Sequence, residues 1–168
     1  FLCDQKKVIS KFKYCVEESR EYTFNHNTKT FDIEEEAPLS SDKHDIVYSN
    51  LMLGLRDYVE KNKFPGVVIG ISGGIDSAFS AVVATDALGP ERVKGILMPS
   101  QFTSEESNED VNQLGKKLGI ELISVSIKDI VNSYDSTLSN LFAGKEKDIT
   151  EENIQSRTRG AILMAYSN

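Results

Sequence analysis

The chain is poor in the residues from which metal and thiol chemistry is built. Its 168 residues include two cysteines and two histidines. Cys3 and Cys15 form no Cys-x-x-Cys pair, and His26 and His44 stand alone. That leaves no zinc-type ligand set and no Cys–His nucleophile pair. Reduced, partly buried thiols in a cytoplasmic protein are expected instead. Positive charge is also short: 19 Lys and Arg stand against 26 Asp and Glu, a formal net charge of −7. With no basic stripe to displace counterions from phosphates, nucleic acid is not an expected partner. Lys6-Lys7 and Lys11-x-Lys13 form the one basic cluster; interleaved with apolar residues, it reads as a solvated face. No apolar run approaches the roughly 18 residues that cross a bilayer, so neither a membrane segment nor a signal peptide is expected. The length suffices for one domain with a core.

What is present is concentrated in one stretch. Gly70-Ile71-Ser72-Gly73-Gly74-Ile75-Asp76-Ser77 follows the apolar run Val67-Val68-Ile69 and opens into Ala78-Phe79-Ser80-Ala81-Val82-Val83-Ala84. This is the pattern of a buried strand, a glycine turn and a helix whose first N–H groups lack internal partners. Such a terminus holds anions, phosphate above all. Three glycine loops compete. A Walker A loop needs a lysine on the terminal phosphates, and none lies between Gly66 and Ala84. A dinucleotide fingerprint needs Gly-x-Gly-x-x-Gly, but the second glycine position is Ser72 and the next strand runs into Met98-Pro99-Ser100 rather than an acid. What remains is Ser-Gly-Gly-x-Asp-Ser, the pyrophosphate loop of ATP pyrophosphatases. Gly73 and Gly74 bare the backbone, and Ser72 and Ser77 supply hydroxyls. Asp76 would repel a bare triphosphate, which implies a bridging divalent cation, Mg²⁺. A plain N-cap at Asp76 or Ser77 is the alternative.

Around the loop the chain divides. Residues 8 to 33 alternate loosely, with Tyr22, Phe24, Phe31 and Ile33 about the turn-like Asn25-His26-Asn27, which predicts a hairpin. Glu34 to Ser41 is acidic and carries Pro38, which places a domain boundary there. Residues 1–37 then form an N-terminal segment and 38–168 an α/β domain. A helix is predicted from about Asp45 to Asn62 and the loop helix to Gly89-Pro90. A strand over Val93 to Met98, a helix over Glu109 to Leu118 and a strand over Leu122 to Ile127 follow. This alternation predicts a doubly wound parallel sheet with helices on both faces. Ligands sit beyond the carboxyl ends of such strands, so Gly70 to Ser77 and Met98 to Ser107 should line one cleft. Phe102 to Ser107 reads equally as a flap over the phosphates or as a plain strand–helix connection. In the last segment Thr150 can cap a helix that carries Asn153 and Arg157 on one face above Gly160. A surface pair of Arg157 with Glu152 or Asn153 is the plainer reading.

Taken together, Gly70 to Ser77, Asp86-Ala87-Leu88-Gly89-Pro90-Glu91-Arg92-Val93, Met98-Pro99-Ser100 and Glu152-Asn153-Ile154-Gln155-x-Arg157-x-Arg159-Gly160 resemble NAD⁺ synthetase. Leu53 to Val59 fits as well. The resemblance runs from about residue 45 onward and is closer to the synthetase domain of the glutamine-dependent type than to the stand-alone ammonia-dependent type. It implies an adenine nucleotide alpha hydrolase-like fold and ATP-dependent amidation of deamido-NAD⁺ to NAD⁺ through an acyl adenylate. AMP and pyrophosphate are released, and the ammonia comes from glutamine. By position it implies ATP binding by Gly70, Ile71, Ser72, Gly73, Gly74, Ile75, Asp76 and Ser77. Asp76 would hold Mg²⁺, the Met98 backbone would lie against the adenine, and Asn153 and Arg157 would contact deamido-NAD⁺. No protein nucleophile is implied; positioning and charge stabilisation suffice. A cytoplasmic homodimer is implied too. Against the family's pattern the chain is expected to be a fragment, inactive alone. Residues 1–37 would be the tail of a preceding glutaminase domain plus linker, and later substrate-binding segments lie beyond Asn168. The alternatives are a non-catalytic nucleotide-binding module, or another ATP pyrophosphatase such as a tRNA-modifying or GMP synthetase-like enzyme.

Overall fold

The structure, a computed structural model, describes residues 2–4, 7–33, 42–100, 105–144, 146 and 148–168. Two compact units divide the chain at Gly54. The boundary expected at Pro38 lies outside the described residues.

In the first unit, two antiparallel ribbons form. One pairs β1 (Leu2–Asp4) with β2 (Lys7–Ser10). The other is the expected hairpin, β3 (Thr23–Asn25) with β4 (Thr30–Asp32), in which Phe24 faces Phe31. Their rings meet edge to face at 5.0 Å, a favoured aromatic geometry. The Asn25 side chain closes the turn by accepting from the Asn27 and Thr28 N–H groups, as asparagine does in turns. Both cysteines are free; Cys15 is half-buried, whereas Cys3 is exposed. Glu18 stands below the ordinary carboxylate range because Arg20 and the Lys13 N–H bond to its charged form. The helix α1 (Lys43–Lys61) opens on an Asp42 side chain that accepts from the His44 N–H, and Gly54 lies within it.

The second unit is built on a parallel sheet in the order β5 (Val67–Ile71), β6 (Val93–Leu97), β7 (Glu121–Ser124). Register pairs Gly70 with Ile96 and Ile96 with Ile123. Apolar, β-branched runs of this kind suit strands covered on both faces. On one face, Ile96 and Met98 bury against Ile127 and Val131, with Val68, Ile162 and Leu163 around them. Ile127 and Val131 belong to α4 (Lys128–Leu138) and the residue before it, and Ile162 and Leu163 to α5 (Ile149–Ser167). Ile96 is fully buried, which contributes roughly 1.5–3 kcal/mol. On the other face lie α2 (Ile75–Leu88) and α3 (Glu105–Leu118). A Cβ at Gly115 of α3 or Gly95 of β6 would overlap the Leu122 side chain, so those two glycines let helix and sheet approach. Helices therefore cover both faces of a parallel sheet, the doubly wound arrangement.

Several elements depart from expectation; β7, expected over Leu122 to Ile127, stops at Ser124, and Ile127 instead precedes α4. The helix α3 begins at Glu105, four residues early; Phe102 to Ser104 lie outside the described residues, so the flap is not described. The helix α4 was not expected, because Lys128-Asp-Ile-Val-Asn-Ser-Tyr-Asp-Ser-Thr-Leu138 is mostly polar and buries Val131 alone. The cap of α5 is Asp148 rather than Thr150: Asp148 accepts from the Thr150 N–H at 2.7 Å while Glu151 accepts from the Asp148 N–H at 2.8 Å, a capping box.

Arg92 ties the sheet's amino edge to α1. It donates to the Pro65 and Phe64 carbonyls and to Glu60 at 2.6 Å. Arg56 of α1 donates to the Ala87 carbonyl at the end of α2. At the same edge Lys94 pairs across strands with Glu121 at 3.0 Å. The Glu121 carboxylate, with Tyr166 adding to it, holds the Lys94 ammonium above its ordinary range.

Candidate phosphate-loop site

The strand β5 ends at Ile71, and α2 begins at Ile75 after three intervening residues. Gly73 lies at φ +84°, a backbone that side-chain-bearing residues rarely adopt. Gly74 is the N-cap, and no side chain caps the helix. The alternative of an Asp76 or Ser77 cap is thus excluded. The first intrahelical bond runs from the Ala78 N–H to the Gly74 carbonyl at 3.2 Å, so the N–H groups of Ile75, Asp76 and Ser77 precede it. These residues are at the surface; Ile75 is 80 % exposed.

The two serines brace the turn. Ser77 Oγ donates to the Gly74 carbonyl at 2.9 Å and accepts from the Ser72 N–H at 3.2 Å. Ser72 Oγ accepts from the Gly74 N–H at 3.3 Å. With its own proton committed to Gly74, Ser77 Oγ accepts the Ser72 hydroxyl proton across 3.3 Å. Both serine hydroxyls, expected as donors to phosphate, are thus committed to bracing the turn. The Asp76 carboxylate is exposed and makes no hydrogen bond or ion pair among the described residues. No group of three His, Cys, Asp or Glu side chains that could hold a metal occurs among those residues. A lone carboxylate beside an uncapped helix start would suit Mg²⁺, which takes one or two carboxylates and completes its shell with phosphate oxygens and water.

Of the cleft expected between Gly70 to Ser77 and Met98 to Ser107, the structure brings together Gly70 to Ser72 and Met98 to Pro99; residues 101–104 lie outside the described residues. Gly70, Ser72, Met98, Pro99 and Arg159 line a cleft of about 70 Å³. Beneath it Gly70 lies against Met98 and Leu163; a Cβ there would meet Met98 Cε at 3.1 Å. The Met98 side chain is buried, and its carbonyl accepts from Arg159 Nε at 3.4 Å. A far larger cavity, about 670 Å³, opens at the amino ends of the strands between Gly66, Val67, Arg92, Lys94 and Tyr166. Size does not locate the site, since ligands of such sheets gather at the opposite, carboxyl edge.

Asn153 and Arg157 share one face of α5, as their spacing predicts, but it is the outer one. The inward stripe is Gln155, Thr158, Arg159, Ile162 and Leu163, buried or half-buried; Asn153, Arg157, Gly160 and Met164 are exposed. Neither Asn153 nor Arg157 makes a side-chain hydrogen bond or ion pair among the described residues, so Arg157 pairs with neither Glu152 nor Asn153. A Cβ at Gly160 would meet nothing within 4 Å. The residue that sequence reasoning passed over is Arg159. Its signal is the four-residue step from Gln155 and to Leu163, which puts it on the stripe that faces the sheet.

The NAD synthase profile matches residues 47–168, nearly three-quarters of the chain. The chain belongs to the NAD synthase family. Among its relatives is the glutamine-dependent NAD(+) synthetase of Thermotoga maritima, 58 % identical over 122 residues; these are 73 % of this chain and 21 % of that protein. A structure of the glutamine-dependent NAD+ synthetase of Acinetobacter baumannii in complex with ADP matches with TM-score 0.83 at 42 % identity, over 88 % of this chain and 28 % of that one. The NH3-dependent NAD synthetase of Campylobacter jejuni matches with TM-score 0.67 at 27 % identity, over 76 % and 53 %. The chain thus spans about a fifth of the length of the curated family members it matches.

Proposed function

We propose that this chain is the nucleotide-binding part of a glutamine-dependent NAD⁺ synthetase. ATP and deamido-NAD⁺ are its substrates, with ammonia drawn from glutamine. The nicotinate carboxylate attacks the α-phosphorus of ATP and pyrophosphate leaves. Ammonia then attacks the acyl carbon and loses a proton, and AMP leaves with the bonding electrons of the acyl–oxygen bond. The observation that carries this reading is the serine-braced Gly73-Gly74 turn, which leads into the open N–H groups of Ile75, Asp76 and Ser77 beside an Asp76 carboxylate that has no partner among the described residues. That turn takes the phosphates that leave as pyrophosphate, stabilising the negative charge as it develops.

Asp76 holds Mg²⁺, which when bound neutralises phosphate charge. The Met98 backbone lies against the adenine, and Asn153 with Arg157 meets deamido-NAD⁺ at the exposed face of α5. In support, a relative at 42 % identity carries ADP in its solved structure, and the matched relatives include glutamine-dependent enzymes. We extend the reading, on family resemblance, to a cytoplasmic homodimer. Residues 1–37 are assigned to the tail of a glutaminase domain with its linker, and residues 38–168 to the synthetase domain.

Isothermal titration of the complete gene product tests this reading. Both ATP–Mg²⁺ and deamido-NAD⁺ should bind, and Asp76→Asn should weaken ATP–Mg²⁺ by about tenfold or more, equivalent to roughly 1.4 kcal/mol, with deamido-NAD⁺ little changed. Absence of deamido-NAD⁺ binding would remove the synthetase assignment and leave a nucleotide-binding module.

A further inference from the structure

We propose that Arg159 is an anion-binding residue of the nucleotide site and holds the α-phosphate, the phosphate at which the proposed reaction divides ATP. The inference rests on the ATP reading above and adds a residue and a position to it.

Arg159 lies on the inward stripe of α5 and is half-buried. Its Nε donates to the Met98 carbonyl at the end of β6, which fixes the guanidinium at the carboxyl edge of the sheet. No other hydrogen bond or ion pair engages it among the described residues. A half-buried guanidinium with two nitrogens to spare is a strong donor to an oxyanion, because its fork matches phosphate oxygens.

Place along the nucleotide follows from what flanks it. The cleft that Arg159 lines runs between Met98-Pro99 on one side and Gly70 to Ser72 on the other. With adenine against Met98 and the departing phosphates on the turn after Ser72, the α-phosphate is the charged group between them. At about 70 Å³ the cleft is far below the roughly 300–1,000 Å³ of a site enclosing a whole ligand, and it suits a single charged group. Arg157 cannot serve there from the opposite face of the helix.

The test is a binding ladder of adenosine, AMP, ADP and ATP, titrated into the complete gene product and its variants, with circular dichroism as the check of folding. In Arg159→Gln, which keeps a donor for the Met98 carbonyl but loses the charge, the affinity gained from adenosine to AMP should fall about tenfold or more. The gain from AMP to ATP should stay within about twofold. Arg159→Lys should lose severalfold at the same step, since lysine keeps the charge but not the fork. If Gln does not fold, the Lys ladder alone decides. An unchanged adenosine-to-AMP step overturns the assignment. So does an equal loss for adenosine and AMP, which would make Arg159 only a clamp on Met98. If the unsubstituted protein bound none of the four, the ATP reading would fall and this inference with it.

Discussion

Gly73 and Ser77 together set the shape of the loop. Gly73 supplies a backbone angle that other residues resist, and Ser77 uses its one hydroxyl to satisfy the Gly74 carbonyl and the Ser72 N–H at once. Replacing Gly73 by alanine introduces a Cβ at φ +84° and should cost about 1–2 kcal/mol. In a chain of this size that is a fall of a few degrees in Tm, read by differential scanning calorimetry. An unchanged Tm would mean that the turn relaxes into another conformation without cost. These residues were legible from sequence because a strand, paired glycines and flanking serines are all local features. Arg159 was less so. Its neighbour Arg157 has the same chemistry, and only packing decides which of the two points at the sheet.

At the scale of elements, the strand–turn–helix units and the hairpin follow from periodicity and turn residues, whereas the cap of α5 does not. The helix α4 and the residue before it carry Ile127, Val131, Tyr134 and Leu138 at helical spacing within a mostly polar stretch; Ile127 and Val131 reach a cluster assembled from β6 and α5. For α5 the Asp148–Glu151 box is a short-range signal, and Thr150, an equally good capping residue type, competes with it. Asp148→Ala removes the acceptor for the Thr150 N–H and should destabilise the second unit by about 1 kcal/mol. Chemical denaturation followed by far-ultraviolet circular dichroism measures this, and a matching loss in Thr150→Ala would instead favour a cap at Thr150. The cap bears on the proposed nucleotide site because α5 carries Arg159 on its inward face and Asn153 and Arg157 on its outer one.

For the molecule as a whole, stability is divided between the two units. The ribbons of the first unit are two-stranded and three or four residues long, and isolated two-stranded ribbons are marginal in water. The second unit buries Ile96, Val93, Val111 and Ile127 almost completely. Amides of the β3–β4 hairpin should therefore exchange with solvent at least about a hundredfold faster than those of β6, since exchange reports the local cost of opening. Equal protection in hydrogen-exchange mass spectrometry would show the units opening together. By itself the sequence determined the alternating α/β pattern, the phosphate-type loop and the family, because each rests on short-range spacing along the chain. The tertiary structure decided that Gly74 caps α2 without a side chain. It also decided that the Ser72–Ser77 network holds the turn and that Arg159, not Arg157, faces the Gly70–Met98 cleft. Spacing tells which residues share a helix face; only the burial of that face against a particular sheet tells where it points.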